Sequence, residues 1–123
     1  MARILVVEDD EPLRSLYKYE LEEEGHEVMI AEDGKTALKS LEQFSCDLII
    51  LDMVMPEMDG LETLTKIASR PKKIPVVIHT AYLQPKGEIL AGVADACLTK
   101  SSDLSLLKST VKRLLETYQD RNH

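Results

Sequence analysis

Residues 48–60 read LIILDMVMPEMDG, and a run of four apolar residues ends abruptly at Asp52. Consecutive apolar positions without polar alternation are typical of a strand covered on both faces, as in a parallel sheet between two layers of helices. Asp52 follows this strand at its carboxyl end, and open parallel sheets bind their ligands at that edge. The sequence therefore predicts that the Asp52 carboxylate belongs to a binding or catalytic site.

Short apolar runs alternate with helical patterns along the rest of the chain. The other predicted strands are ILVV at 4–7, VMI at 28–30, VVI at 76–78 and a weaker ADACLT at 94–99. This alternation predicts βα units and a doubly wound, five-stranded parallel sheet. We expect one α/β domain over residues 1–123, with a frayed polar tail from about residue 117 to residue 123.

Apolar residues at helical spacing mark the helices. The predicted inner stripe of the first helix consists of Leu13, Leu16, Tyr17 and Leu21. Gly25 is expected to end that helix. The fourth helix is expected to be short or irregular, because Pro85 and Gly87 occupy its opening turn and little chain remains before the last strand.

Composition excludes several classes of protein. With 44% hydrophobic residues, the chain can build a core without disulfides or a structural metal. It has neither a run of about 18 apolar residues nor a signal-peptide pattern, so we expect a cytoplasmic protein without a membrane segment. The net charge of −7 argues against nucleic acid as a partner and favours a cation. Cys46 and Cys97 lack metal-ligand spacing and are interpreted as reduced thiols.

Two groups of acidic residues follow neighbouring predicted strands. Glu8, Asp9, Asp10 and Glu11 come directly after ILVV, and Asp52 comes directly after LIIL. If the first and third strands are neighbours, the right-handed crossover rule brings these carboxylates to one edge of the sheet. Two carboxylates about 4 Å apart repel each other by roughly 4 kcal/mol, so a converging set requires a cation or shared protons, and oxygen ligands suit Mg²⁺. Asp10 and Glu11 are interpreted instead as acids that complement a helix N-terminus.

A hydroxyl and an ammonium group are expected at the same edge. The fourth strand ends in Thr80 and the fifth ends in Lys100. Lysine can neutralise a phosphoryl oxygen and threonine can donate a hydrogen bond to another, so both would stabilise a dianion attached to Asp52. Aspartate is a nucleophile in some phosphoryl transfers, and surrounding positive charge makes its acyl phosphate tolerable. His79, by contrast, is interpreted as a strand residue that packs against one face of the sheet.

The segments ILVVEDDEPLR, DLIILDMVMPEMDGLETL, IPVVIHTA and ADACLTK together resemble the receiver domain of two-component response regulators, over essentially the whole chain. The resemblance implies a flavodoxin-like, three-layer α/β/α fold with strand order 2-1-3-4-5. It also implies that Asp52 is the phospho-acceptor and that Glu8, Asp9, Asp52 and the backbone carbonyl of Val54 bind Mg²⁺. By the same resemblance, Lys100 stabilises the transferred charge and Thr80 is the switch hydroxyl.

Three features depart from the pattern of this family. Cys97 stands three positions before the lysine, where a ring-bearing residue is usual, so the switch position formed by Thr80 and Cys97 is expected to work differently. Ser101 replaces the proline that commonly follows Lys100, which makes a cis peptide bond there unlikely to form. The segment between Thr80 and Lys100 is also shorter than expected, in the region of the fourth helix.

The resemblance implies that a histidine kinase or phosphotransfer protein donates the phosphoryl group and that a downstream protein reads the result. No enzymatic activity on a free substrate is expected beyond slow hydrolysis of the protein's own aspartyl phosphate, and the protein is expected to be a monomer or weak dimer. A pseudo-receiver, which acts by protein contact without phosphorylation, is the alternative. An aspartate-nucleophile hydrolase is disfavoured, because it usually needs a second Asp two positions after the nucleophile, where Val54 stands.

Overall fold

The computed structural model describes residues 2–52, 60–80, 94–100 and 104–121. The strands are β1 (Arg3–Val7), β2 (Glu27–Ala31), β3 (Leu48–Leu51), β4 (Val76–Thr80) and β5 (Ala96–Thr99). The helices of the described residues are α1 (Glu11–Glu23), α2 (Gly34–Gln43), α3 (Gly60–Ala68) and the C-terminal helix (Ser105–Arg121). The predicted short fourth helix lies outside the described residues.

The five strands form one parallel sheet in the order β2-β1-β3-β4-β5. Both the fold class and the strand order expected from the sequence are therefore confirmed. In the register, Val7 pairs with Leu51 and Leu51 pairs with Ile78. The residues that follow these three are Glu8, Asp52 and His79. They consequently occupy neighbouring positions in one row near the carboxyl edge of the sheet.

Residue alternation along the strands divides the core into two layers. The layer between the sheet, α1 and the C-terminal helix includes Ile4, Val6, Tyr17, Leu21, Leu48, Ile50, Val77, Leu107 and Val111. The layer between the sheet, α2 and α3 includes Leu5, Val7, Ala37, Leu41, Ile49, Leu51, Leu64, Ile67 and Ile78. Each fully buried Leu or Ile stabilises the fold by about 1.5–3 kcal/mol relative to an exposed one. The two layers cover both faces of the central strands β1, β3 and β4.

Helix α1 begins and ends near where the sequence predicted. Asp10 is its N-cap and accepts a hydrogen bond from the backbone N–H of Leu13 at 3.3 Å, as expected for an acid at a helix N-terminus. Gly25, with φ +91°, adopts a left-handed conformation just beyond its end. The prediction that Leu16 belongs to the inner stripe was wrong, because this residue is 42% exposed. Tyr17 and Leu21, four residues apart, face the sheet, and Leu16 lies on the flank of that narrow stripe.

The C-terminal helix extends to Arg121, and the frayed tail expected from about residue 117 stays a prediction. The hydroxyl of Tyr118 donates a hydrogen bond to Oδ1 of Asp95 at 2.7 Å. Oδ2 of the same carboxylate accepts from the backbone N–H of Val76 at 2.9 Å. One acidic side chain thus anchors the last turns of the helix to the start of β4, and periodicity alone does not reveal that anchor. Among the described helices, none is long and apolar enough to span a bilayer.

Candidate functional site

Three carboxylates converge at the carboxyl edge of the sheet. Glu8, Asp9 and Asp52 each place one oxygen so that the three atoms lie within 4.8 Å of one another. Glu8 and Asp52 are only 1% and 6% exposed, whereas Asp9 is exposed to solvent. The backbone N–H of Asp52 donates to the carbonyl of Val7 at 3.0 Å, so the pairing of β1 with β3 continues into the site. The predicted convergence of the two acidic groups is confirmed.

Glu8 is held on both its side chain and its backbone. Its Oε2 accepts from the backbone N–H of Asp10 at 3.1 Å, and its carbonyl oxygen accepts from Nη1 of Arg14 at 3.0 Å. Burial raises the pKa of the Glu8 carboxyl above its ordinary value, and the negative charge of Asp52 adds to the rise, while the hydrogen bonds from Lys100 and Asp10 oppose it. Sequence reasoning did not identify Arg14, whose position one turn into α1 gave no separate signal.

Lys100 supplies the positive charge of the site. Its Nζ lies 2.7 Å from Oε1 of Glu8 and 3.4 Å from Oδ2 of Asp52. Its backbone N–H donates to the carbonyl of Thr80 at 2.7 Å, which ties the end of β5 to the end of β4. Burial works to lower the pKa of Lys100, but the hydrogen bond to Glu8 and the charges of Asp52 and Glu8 outweigh it, so the pKa is raised. The side chain is therefore a permanent cation at neutral pH.

Thr80 brings a hydroxyl to the end of β4. The residue is fully buried, and its Oγ1 has no hydrogen-bond partner among the residues that the structure describes. A buried hydroxyl without a partner costs about 1–3 kcal/mol. An oxygen-rich group that entered the site would give this donor a partner. Such a polar atom is consistent with the predicted role of Thr80, although the described contacts do not test it.

The donor set of the acidic cluster fits Mg²⁺. All three protein ligands are oxygens, and the exposure of Asp9 leaves room for the several waters that this ion retains. The predicted fourth ligand, the backbone carbonyl of Val54, lies outside the described residues, as does Ser101. Cys97 pairs with Ile78 in the register and packs, half-buried, against the layer of α2 and α3. Its role at the switch position stays a prediction.

A second pair of polar side chains lies beside this site and was missed by sequence reasoning. His79 is 4% exposed, which agrees with its predicted packing, but its Nδ1 also lies 2.6 Å from the hydroxyl of Tyr17. Each residue gave a partial signal: Tyr17 fell on the inner stripe of α1, and His79 interrupted an apolar strand. Only the strand order and the position of α1 bring the two together.

Comparison with known proteins gives a consistent result. The family model described as the response regulator receiver domain matches residues 4–112. The alkaline phosphatase synthesis transcriptional regulatory protein PhoP of Bacillus subtilis is 34% identical over 115 residues, which cover 92% of this chain and 48% of that protein. The virulence transcriptional regulatory protein PhoP of Salmonella typhimurium is 34% identical over 117 residues, with 94% and 52% covered. The chain thus spans about half the length of the curated relatives it matches.

Solved structures agree with the fold. The response regulator protein TrrA from Thermotoga maritima, in complex with Mg(2+)-BeF, superposes with a TM-score of 0.87 at 40% identity, covering 93% of this chain and 99% of that chain. A CheY-like response regulator receiver domain protein from Methanospirillum hungatei gives a TM-score of 0.92 at 28% identity, with 98% of each chain covered. Both the backbone and the sequence therefore resemble response regulator proteins of known structure over nearly their full length.

Proposed function

Because this chain belongs to the response regulator receiver domain family, we propose that it accepts a phosphoryl group on Asp52 and passes the signal to another protein by contact. The observation that carries the proposal is the position of Asp52: a nearly buried carboxylate, 3.4 Å from the ammonium group of Lys100 and grouped with two further acids. An aspartate without a functional role is rarely both buried and grouped with other carboxylates.

The proposed donor is the phosphorylated imidazole of a histidine kinase or phosphotransfer protein. A carboxylate oxygen of Asp52 forms the new bond to phosphorus, and the bond from phosphorus to the imidazole nitrogen breaks. The electron pair of that bond stays on the departing imidazole, which takes up a proton from solvent. Lys100, already within 3.4 Å of Asp52, faces the phosphoryl oxygens as their charge builds up.

Glu8, Asp9 and Asp52 are the side chains that would hold Mg²⁺, joined in this proposal by the backbone carbonyl of Val54. When bound, Mg²⁺ supplies positive charge that stabilises the phosphoryl oxygens. The complex of the relative TrrA with Mg(2+)-BeF supports this part of the proposal. Lys100 and the backbone N–H of Asp10 keep Glu8 oriented toward the cluster.

Thr80 is the proposed response element. Its hydroxyl, which has no hydrogen-bond partner in the described part of the chain, would donate to an oxygen of phosphorylated Asp52, and this new hydrogen bond would bias the chain that follows β4. Because Cys97 replaces the usual ring, we propose that the response proceeds without ring rotation. The proposal also includes a downstream protein partner, a cytoplasmic location, a monomeric or weakly dimeric state and slow hydrolysis of the acyl phosphate. Nucleic acid and membrane are not proposed partners of this domain.

The test is labelling with a small phosphodonor. Wild-type protein incubated with Mg²⁺ and phosphoramidate should gain one phosphoryl group by intact mass, and Asp52→Asn should gain none. Asp47→Asn is the matched control, since Asp47 is an exposed acid directly before the same strand. Labelling of Asp52→Asn would refute the acceptor assignment. Failure of the wild type both to bind Mg²⁺ and to become labelled would favour the pseudo-receiver.

A further inference from the structure

A buried hydrogen bond joins α1 to β4 beside the acidic cluster. The hydroxyl of Tyr17 lies 2.6 Å from Nδ1 of His79, and the two residues are 1% and 4% exposed. Their rings meet edge to face, with centroids 5.4 Å apart and planes at 61°. Two aromatic side chains are thus fixed by both packing and a polar contact, in a core layer that is otherwise mostly apolar.

The register places this pair next to Asp52. His79 follows Ile78, which pairs with Leu51, so His79 and Asp52 are neighbours across β4 and β3. His79 is two residues from Val77, and Asp52 is two residues from Ile50; Val77 and Ile50 both face the layer of α1. By the two-residue period of a strand, the two side chains share that face. The contact between Tyr17 and His79 therefore lies on the same face of the sheet as Asp52.

Both members of the pair are uncharged. Burial, and to a smaller extent the positive charge of Lys100, lower the pKa of His79 to about 4 against the opposing effect of Asp52. Burial and the charges of Glu8, Asp52 and Asp10 raise the pKa of the Tyr17 hydroxyl. In the arrangement proposed below, Tyr17 donates to Nδ1 of His79 and the imidazole proton is on Nε2.

We propose that Tyr17 and His79 are positioning residues for phosphoryl transfer to Asp52. This inference rests on the proposed function. The pair fixes the end of β4, which carries Thr80, against α1, which begins directly after the acidic residues that follow β1.

Removal of the Tyr17 hydroxyl should disturb this arrangement. In Tyr17→Phe, Nδ1 of His79 loses its donor inside the core, so the ring must turn or exchange tautomers, and the end of β4 shifts or loosens. Small displacements of reacting groups reduce rates strongly, so the rate constant of phosphorylation by phosphoramidate at saturating Mg²⁺ should fall about tenfold. Mg²⁺ affinity should stay within about twofold of wild type, because neither residue belongs to the acidic cluster.

Tyr19→Phe is the matched control, since Tyr19 lies on the same helix and is 61% exposed. It should be phosphorylated at the wild-type rate. Nitrogen chemical shifts of His79 should show the proton on Nε2 in the wild type and in Tyr19→Phe, and a changed pattern in Tyr17→Phe. A proton on Nδ1 in the wild type would overturn the inference.

The double variant Tyr17→Phe/His79→Leu separates positioning from stability. It removes both polar groups and leaves neither unpaired, so it should fold even if Tyr17→Phe does not. Slow phosphorylation of a well-folded double variant supports the inference, whereas a wild-type rate in the double variant refutes it and assigns the pair to stability alone. If the wild type itself is not labelled, the proposed function has failed instead, and the two failures are distinguishable.

Discussion

Lys100 and Glu8 form a direct ion pair, with 2.7 Å between Nζ and Oε1, although the Glu8 side chain is only 2% exposed. A buried carboxylate next to a second one, Asp52, needs such a partner, because removal of one member of a buried pair leaves an uncompensated charge. Lysine is thus the counter-ion of the acidic cluster within the protein itself. Any divalent cation that enters must share these carboxylates with Lys100.

Lys100→Met should destabilise the protein in the absence of Mg²⁺. Glu8 and Asp52 would remain buried without their cation, and the free energy of unfolding should fall by about 2–4 kcal/mol. Added Mg²⁺ should restore part of this loss, since it neutralises the same carboxylates. Denaturant unfolding with and without Mg²⁺ measures both effects.

Lys108→Met is the control for that experiment. Nζ of Lys108 lies 2.6 Å from Oε2 of Glu20, but the two side chains are 29% and 30% exposed. A partly exposed pair of this kind should contribute less than about 1 kcal/mol, with no dependence on Mg²⁺. Equal losses in the two lysine variants would contradict the special role of Lys100.

Asp9→Asn should weaken Mg²⁺ binding by about tenfold or more, because it removes one of three converging negative charges. Asp10→Asn is a matched control: Asp10 is the N-cap of α1, and Asn is an equally good N-cap. Titration of Mg²⁺ monitored by amide chemical shifts reports both affinities. Should the two variants bind Mg²⁺ equally well, Asp9 does not belong to the metal site.

Thr80→Val should raise the free energy of unfolding slightly or leave it unchanged. The hydroxyl of Thr80 is buried without a partner among the described residues, so its replacement by a methyl group removes an unpaired polar atom at similar volume. Thr99→Val, at an exposed position opposite Thr80 in the register, is the control. A loss of more than about 1 kcal/mol specific to Thr80→Val would show that its hydroxyl is already hydrogen-bonded.

The contribution of His79 to stability should fall as the pH is lowered from about 7 to about 5, while the raised pKa of Glu8 acts in the opposite direction in both proteins compared below. The pKa of His79 drops from an ordinary 6.5 to about 4 in the folded protein. Below pH 6.5 the unfolded chain therefore binds a proton that the folded state still excludes, which favours unfolding by about 2 kcal/mol at pH 5. Denaturant unfolding across this range should show a clearly smaller loss for Tyr17→Phe/His79→Leu. His26, whose pKa is also lowered by burial, remains in both proteins and cancels in the comparison.

The sequence predicted those parts of the molecule that depend on local pattern. Uninterrupted apolar runs located β1, β3 and β4, and the acids directly after β1 and β3 located the cluster of Glu8, Asp9 and Asp52. Side chains whose partners lie far away in the chain were harder. Tyr17 and His79 are 62 residues apart, and their hydrogen bond exists only because the fold brings α1 and the end of β4 together on one side of the sheet.

Two further differences have the same physical origin. Leu16 was assigned to the inner face of α1 because it is apolar. The narrow contact between helix and sheet buries Tyr17 and Leu21, as predicted, but leaves Leu16 outside it. Likewise, the hydrogen bond from Tyr118 to Asp95 joins residues that are 23 positions apart, so no local pattern indicates it.

The alternation along β3 limits how this protein can vary during evolution. Ile50 fills the core layer of α1, and Asp52, two positions later, serves the acidic cluster. Deletion of one residue from Leu48–Leu51 would transfer every later side chain to the opposite face and place an apolar residue where the carboxylate belongs. Length variation among descendants of this chain should therefore be confined to its connecting loops, while the spacing from Leu48 to Asp52 stays constant even as the apolar residues themselves are exchanged.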